Sequence, residues 1–508
     1  MTYTIEKVTT LIGARRYGDK DTNIGFILTD SRSLCFPEET LFFALKSERN
    51  DGHNYIPELY RRGVRNFVVT NVPKGYASDY PEANFLKVVN TLEALQRLAE
   101  RHRDEFNIPI VGITGSNGKT MVKEWLHQLL SPNMFVTRSP RSYNSQIGVP
   151  LSVWLMNEQT EVGVFEAGIS QPGEMLALRD IIQPTIAVLT YLGSAHQENF
   201  ESLEAKCREK IILFHDAETI VYNGDDEIVA RVVGEYHDYK GEKLYWSLKD
   251  SAAPFYVKNI EKKGNLSIIT YIYKGEEDSY SLPFIDEASV TNSIIAAVVS
   301  RKLGLTAEEV DKRMSLLEPV AMRLEVKEGQ HGCTLINDSY NSDINSLDIA
   351  LDFMSRRPDH KGRRHTLILS DIFQSGENPK DLYKEVSDLC RKRGVVKFIG
   401  VGPQLYEQSD EIQISEKFFF RNIEDFIKSE VFASLRDEVI LLKGARQFGF
   451  DQLTELLVKK VHETTLEVNL NAVVANLNYY RSFMKPETKL VCMIKADGYG
   501  AGAVEIAK

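Results

Sequence analysis

The residues best suited to chemistry in this chain lie in Gly112-Ile-Thr-Gly-Ser-Asn-Gly-Lys-Thr120. In a glycine-rich turn that opens a helix, backbone N–H groups and the helix dipole face an anion. Lys119 can then reach the outer phosphates, and the Thr120 hydroxyl can hold Mg²⁺. The strict phosphate-loop pattern has glycine where this chain has Ile113. The context still fits, because the apolar run Ile108-Pro-Ile-Val111 precedes the turn and Val122, Trp125, Leu126, Leu129 and Leu130 follow at helical spacing. We read the stretch as a nucleotide-binding loop.

Further candidates follow the ends of apolar runs. Val162-Gly-Val-Phe-Glu-Ala-Gly168 reads as a short strand ending on a carboxylate. Ligands of doubly wound sheets sit beyond the carboxyl ends of the strands, so Glu166 lies where a Mg²⁺ ligand is needed; a solvated strand-end charge is the equal alternative. The run Thr185–Thr190 leads in the same way to His196, and the helix after it carries Lys206 and Lys210. Lys443-Gly-Ala-Arg446 closes a late strand with two cations that suit phosphate or carboxylate, or equally a solvated loop. Thr29-Asp-Ser-Arg32 and the stretch from Leu41 to His53, taken alone, read as loops with exposed charge.

The elements that must position these groups alternate along the chain. Residues 1 to about 105 form a small α/β unit, with strands at Gly25–Leu28, Thr40–Ala44 and Asn66–Val69 and a helix near Tyr55–Arg62. From Asn107 the phosphate loop opens a central α/β unit. From about Pro319 the strands Thr334–Ile336, Thr366–Leu369, Lys397–Val401 and Val439–Leu442 predict a second parallel sheet, with a helix near Lys380–Arg393. After Glu463 the register changes: a strand at Leu466–Leu470, a helix over Asn471–Met484, and a strand at Lys489–Lys495 running into Ala496-Asp-Gly-Tyr-Gly500.

Bulk properties narrow the class. The 508 residues suffice for about three or four domains. A hydrophobic content of 43% with 26% charged residues is that of a soluble globular protein. A net charge of −11 argues against nucleic acid as the main partner. Five scattered cysteines form neither a disulfide framework nor a zinc site and fit a reducing cytoplasm. Neither a secretory signal nor a membrane-spanning run is present in the sequence.

With these residues placed, the chain up to about residue 462 resembles the Mur ligase family of cell-wall enzymes. Thr114-Gly-Ser-Asn-Gly-Lys-Thr120 matches that family's own loop, which does not need glycine at position 113. Tyr143-Asn-Ser-Gln-Ile-Gly-Val-Pro150 and Asp338-Ser-Tyr-Asn341 are similar to the branch that adds D-alanyl-D-alanine to a UDP-N-acetylmuramoyl-tripeptide. The resemblance implies three α/β domains: a UDP-sugar-binding domain over 1–105, a P-loop ATPase-like doubly wound domain over 106–317, and a Rossmann-like domain over 318–462. It implies ATP and Mg²⁺ as cofactors, with Thr120, Glu166, His196 and a CO₂-carbamylated Lys210 on the metal. It places Thr114, Gly115, Ser116, Asn117, Gly118, Lys119, Thr120, Asn292, Arg323 and Asp338 on the nucleotide. Asp30, Ser31, Arg32, Lys46, Asn144, Tyr340 and Asn341 fall on substrate. Ala288-Ser289 stands where the family has a His-Asn pair, and Ala445 where it has serine. A folylpolyglutamate synthase-like ligase shares the central fold, but the N-terminal domain argues against it. A catalytically silent scaffold is opposed by the joint presence of Lys119, Thr120, Glu166, His196 and Lys210.

The tail, Leu466–Lys508, resembles the start of an alanine racemase, a PLP enzyme on a (β/α)₈ barrel. That resemblance makes Lys495 the Schiff-base lysine and implies a ligase–racemase fusion, of which this chain would hold only the barrel's first elements. No racemase activity is expected from those elements alone, because the remaining PLP contacts and the second base come from later barrel strands.

Overall fold

The computed structural model describes residues 2–47, 50–193, 197–237, 239–320, 324–339, 343–356, 362–372, 378–445, 448–459 and 470–481, with scattered positions in the tail (468, 484, 488, 490–494 and 506). The chain divides into two compact units, residues 1–101 with 461–508, and residues 102–460.

In the first unit a five-stranded sheet runs in the order Arg15–Tyr17, Asn84–Lys87, Asn66–Val69, Thr40–Phe43, Phe26–Leu28. Only the first pairing is antiparallel. The central strands read as unbroken apolar runs because both faces are covered. Phe42, Phe67 and Phe85 pack with Leu59 of the helix Ile56–Arg61. In the same unit the tail departs from expectation. Leu470 opens the helix Leu470–Arg481 rather than ending a strand. The strand expected at Lys489–Lys495 makes no ladder over its described residues, and Val491 and Met493 are 91% and 83% exposed. A strand is stable only with its N–H and C=O groups paired, and none of the described residues there has such a partner.

The second unit holds two sheets. The first has nine strands, in the order Glu276–Leu282, Leu266–Tyr273, Phe255–Lys263, Glu242–Ser247, Thr219–Asn223, Ile186–Leu189, Ile110–Thr114, Val162–Glu166, Val136–Arg138. The seven strands from Phe255–Lys263 to Val136–Arg138 are parallel. The chain leaves Ile110–Thr114 toward one edge and later returns past it to build the other side. This strand is therefore the topological switch point, where a crevice opens beyond the carboxyl ends. The helices Lys119–Leu130 and Glu287–Lys302 cover one face; Trp125 stacks on Phe284 with ring centroids 5.4 Å apart. The antiparallel ribbon over 255–282 was not expected from the sequence.

The second sheet runs Glu325–Glu328, Thr334–Asp338, Glu438–Lys443, Arg364–Ser370, Lys397–Val401, Glu416–Phe420, parallel apart from its first pair. All four predicted strands are present, and Glu325–Glu328 and Glu416–Phe420 extend the two edges. The predicted helix near Lys380–Arg393 is Pro379–Lys392, capped by Asn378. No helix among the described residues is long and apolar enough to cross a membrane.

Candidate nucleotide and metal site

The strand Ile110–Thr114 delivers the phosphate loop to the switch point, and the loop takes backbone shapes that need glycine. Gly115 and Gly118 have φ of 145° and 87°. A Cβ at Gly115 would run into Thr190 Oγ1, and one at Gly118 into Asn292 Oδ1. The neighbouring strand end clamps the loop. Thr190 Oγ1 donates to the Asn117 carbonyl at 2.5 Å, Ser116 N–H donates to the Tyr191 carbonyl at 2.6 Å, and Ser116 Oγ and Gly193 N–H are 2.9 Å apart. Lys119 Nζ lies back over the loop, donating to the carbonyls of Gly115 (2.8 Å) and Ser116 (3.1 Å). Thr114 Oγ1 and Asn117 Nδ2 are buried with no hydrogen-bond partner among the described residues.

Thr120 and Glu166 meet beside the loop. Thr120 Oγ1 donates to Glu166 Oε2 at 3.1 Å, Asn144 Nδ2 reaches the same oxygen at 3.4 Å, and Ser142 Oγ is 3.2 Å from the Thr120 hydroxyl. Glu166 is fully buried, and among the described residues its Oε1 accepts no hydrogen bond, although Lys123 Nζ stands 3.0 Å away as an ion-pair partner. Among the described residues no three His, Cys, Asp or Glu side chains gather as a metal cage. One carboxylate and one hydroxyl are hard oxygen donors that suit Mg²⁺ shared with nucleotide phosphates, because this ion is usually held by one or two protein groups plus phosphate and water.

The helix Leu203–Ile211, capped by Ser202, brings two buried lysines under the loop. Lys210 Nζ donates to the Gly115 carbonyl at 3.2 Å, and burial, reinforced by Lys119 and Lys206, holds its pKa well below the usual lysine range. Lys206 Nζ donates to the Gly193 carbonyl at 2.6 Å and to Gln197 Oε1 at 3.4 Å. Burial pulls its pKa down to about 8; Asp343 opposes that shift and Lys119 adds to it.

The fold thus brings together residues 114–120, Asn144, Glu166, Lys210 and Asn292. In the second sheet of the same unit Asp338 is bound to Lys443, whose Nζ is 2.6 Å from Oδ2. Of the two cations read as suited to phosphate or carboxylate, Lys443 is fully buried and has the carboxylate of Asp338 as its partner, which offsets the cost of burying its charge. In the first unit Asp30 caps the turn Ser31–Ser33 and pairs with Arg32 at 2.6 Å, which holds the Asp30 carboxyl below its ordinary value. Lys46 Nζ is 4.0 Å from Asp51, and Asp51 also binds His53 Nδ1 at 2.6 Å. His196, Arg323, Tyr340, Asn341, Arg446 and Lys495 lie outside the described residues. The sequence reading passed over Lys123, Ser142 and Thr190. Lys123 follows Thr120 by three residues and shares its helix face, but its partner Glu166 lies far away in the sequence.

A phosphate loop at the switch point of a parallel sheet, with a carboxylate at the next strand end and a second α/β sheet following, defines a nucleotide-dependent enzyme of the phosphoryl-transferring class. Residues 113–300 match the Mur ligase middle domain. The chain is 26% identical over 465 residues to UDP-N-acetylmuramoyl-tripeptide–D-alanyl-D-alanine ligase of Bacillus subtilis (strain 168), covering 87% of this chain and 94% of that relative. To the Escherichia coli (strain K12) protein of the same name it is 24% identical, covering 89% and 98%. In fold it is similar to the crystal structure of MurF from Acinetobacter baumannii, with a TM-score of 0.77 and 21% identity over 90% of this chain and 99% of that one. It is also similar to the Thermotoga maritima MurF ligase in complex with ADP, with a TM-score of 0.71 and 22% identity over 85% and 96%. Residues 468–508 match the N-terminal domain of alanine racemase.

Proposed function

We propose that this protein is an ATP-dependent amide ligase that joins the terminal carboxylate of a UDP-N-acetylmuramoyl-tripeptide to the amine of D-alanyl-D-alanine, a step in peptidoglycan precursor synthesis. The convergence of Lys119, Thr120, Glu166 and Lys210 on one glycine-rich loop is the observation that carries the reading. Thr120 and Glu166, with His196 and a carbamate on Lys210, would hold Mg²⁺. When bound, that ion supplies charge neutralisation at the phosphate oxygens. Burial favours the neutral amine of Lys210, the form that adds CO₂; the new N–C bond yields a carbamate and releases one proton.

The chain's own part is positioning. Loop N–H groups and Lys119 hold the phosphates, and Gly115 and Gly118 let the backbone approach them. A substrate carboxylate oxygen attacks the γ-phosphorus and ADP leaves. The dipeptide amine then attacks the acyl phosphate, loses a proton and expels phosphate. This route needs no protein nucleophile, so alignment and electrostatics carry the acceleration. Asn292, Arg323 and Asp338 are assigned to the nucleotide, and Asn144, Tyr340 and Asn341 to the amide-forming substrates. Asp30, Ser31, Arg32 and Lys46 are assigned to the UDP-sugar. Domain limits of 1–105, 106–317, 318–462 and 463–508 go with this assignment. The match over 468–508 favours a second activity for a longer chain, alanine racemisation with PLP on Lys495. Lys119→Ala tests the ligase: the folded variant should form no UDP-muramoyl pentapeptide, and substantial ATP-dependent product from it would remove the nucleotide assignment.

A further inference from the structure

Lys123 lies one turn beyond Thr120 on the helix Lys119–Leu130, and its side chain is as fully buried as that of Glu166. Its ammonium stands 3.0 Å from Glu166 Oε1 and 3.0 Å from Glu124 Oε1. It also donates to the carbonyls of Ser139, at 2.9 Å, and Arg141. Glu124 is met on its other oxygen by Arg138 Nε at 2.9 Å. Arg138, Glu124, Lys123 and Glu166 therefore alternate in sign, and Lys123 is left as the counter-charge of Glu166. The opposite oxygen of Glu166 is held by Thr120 and Asn144. The Glu166 carboxylate at the loop is thus already neutralised, and among the described residues no three His, Cys, Asp or Glu side chains gather there to outweigh the ammonium.

We infer that Lys123 is a built-in counter-ion: it occupies the Glu166 carboxylate until nucleotide arrives, so that the divalent cation enters with the phosphates and not to the protein alone. This rests on the reading of Thr120 and Glu166 as the magnesium-holding pair. Lys123 is tethered and already desolvated, whereas a hydrated divalent cation must shed water to compete for the same carboxylate. Phosphates in the loop add negative charge on the Thr120 side, and at such short range that charge favours a doubly charged ion over one ammonium. Lys123 also fixes the substrate-side loop, because the carbonyls it binds flank a turn in which Arg141 takes a left-handed φ of 49°.

The test is Mn²⁺ titration of the full chain, with free Mn²⁺ followed by electron paramagnetic resonance, without nucleotide and with ADP. Wild type should bind Mn²⁺ weakly alone and much more tightly with ADP. Lys123→Gln keeps a donor for the Ser139 carbonyl but carries no charge. It should bind Mn²⁺ without nucleotide at least about tenfold more tightly than wild type, and Lys123→Arg should restore the wild-type pattern. Circular dichroism and a cooperative thermal transition confirm folding; if Lys123→Gln does not fold, Lys123→Met is titrated in its place. Mn²⁺ binding without nucleotide that is unchanged or weaker in the uncharged variant overturns the counter-ion role. Glu166→Gln separates the two readings. If it loses Mn²⁺ in the presence of ADP while Lys123→Gln gains none, the counter-ion role falls alone. If it keeps Mn²⁺ as wild type does, the metal-site reading falls and takes the counter-ion role with it.

Discussion

Lys206 and Lys210 are the residues whose burial says most about the site. Both sit on one face of the helix Leu203–Ile211, and both are held below the usual lysine pKa chiefly by burial. For Lys206 the folded value of about 8 lies under the ordinary 10.5, so between those values the unfolded chain binds more protons than the folded one. Stability attributable to this group therefore rises as pH climbs from about 8 toward 10.5 and is flat below that window. Chemical denaturation at pH 7.5 and 9.5 checks this. The wild type should gain about 2 kcal/mol relative to Lys206→Met over that interval, and parallel curves would remove the depressed pKa. Much of the loop was legible in the sequence because residue type and spacing carry the chemistry there. Lys123 was not, because its significance lies in Glu166, 43 positions later, which only the sheet brings within 3.0 Å.

The helix Lys119–Leu130 and the strand before it were legible for a different reason. Strands buried on both faces show as continuous apolar runs, and Ile110–Thr114, Val162–Glu166, Ile186–Leu189 and Lys397–Val401 fall within a few residues of the readings made for them. The ribbon over 255–282 escaped because its strands alternate buried and exposed positions and carry charge on the open side, such as the Lys258–Glu277 pair at 2.7 Å. One sign was present: Lys274 and Gly275, at φ of 53° and 82°, form the two-residue hairpin turn that glycine favours. In the tail, the apolar run within 489–495 predicted a strand, but such a pattern cannot supply the neighbour a strand needs. The phosphate-loop turn makes its own prediction. Gly118→Ala places a methyl against Asn292 at a φ of 87°, which costs about 1–3 kcal/mol and displaces the loop. ADP affinity measured by calorimetry should fall by more than about tenfold; an alanine variant that binds ADP as wild type does would show that the turn tolerates a side chain.

Across the whole chain, the order of α/β patterns was readable because each sheet is built from consecutive segments. The first unit contains Asp30, Ser31, Arg32 and Lys46, and the second contains the phosphate loop. That division predicts separable defects. Arg32→Ala with Lys46→Ala should raise the KM for the UDP-tripeptide by roughly tenfold, equivalent to about 1.4 kcal/mol of lost binding, and leave ADP affinity unchanged. A matching loss of ADP affinity would show that these residues do not act on the sugar nucleotide alone. The central claim is that ATP is spent only to join two specific partners, and it is tested most directly by phosphate release from ATP with each substrate omitted in turn. The account predicts rapid release, stoichiometric with UDP-muramoyl pentapeptide, only when ATP, Mg²⁺, UDP-N-acetylmuramoyl-tripeptide and D-alanyl-D-alanine are all present. Release that is equally fast without either partner, or that yields no amide product with both, would contradict it.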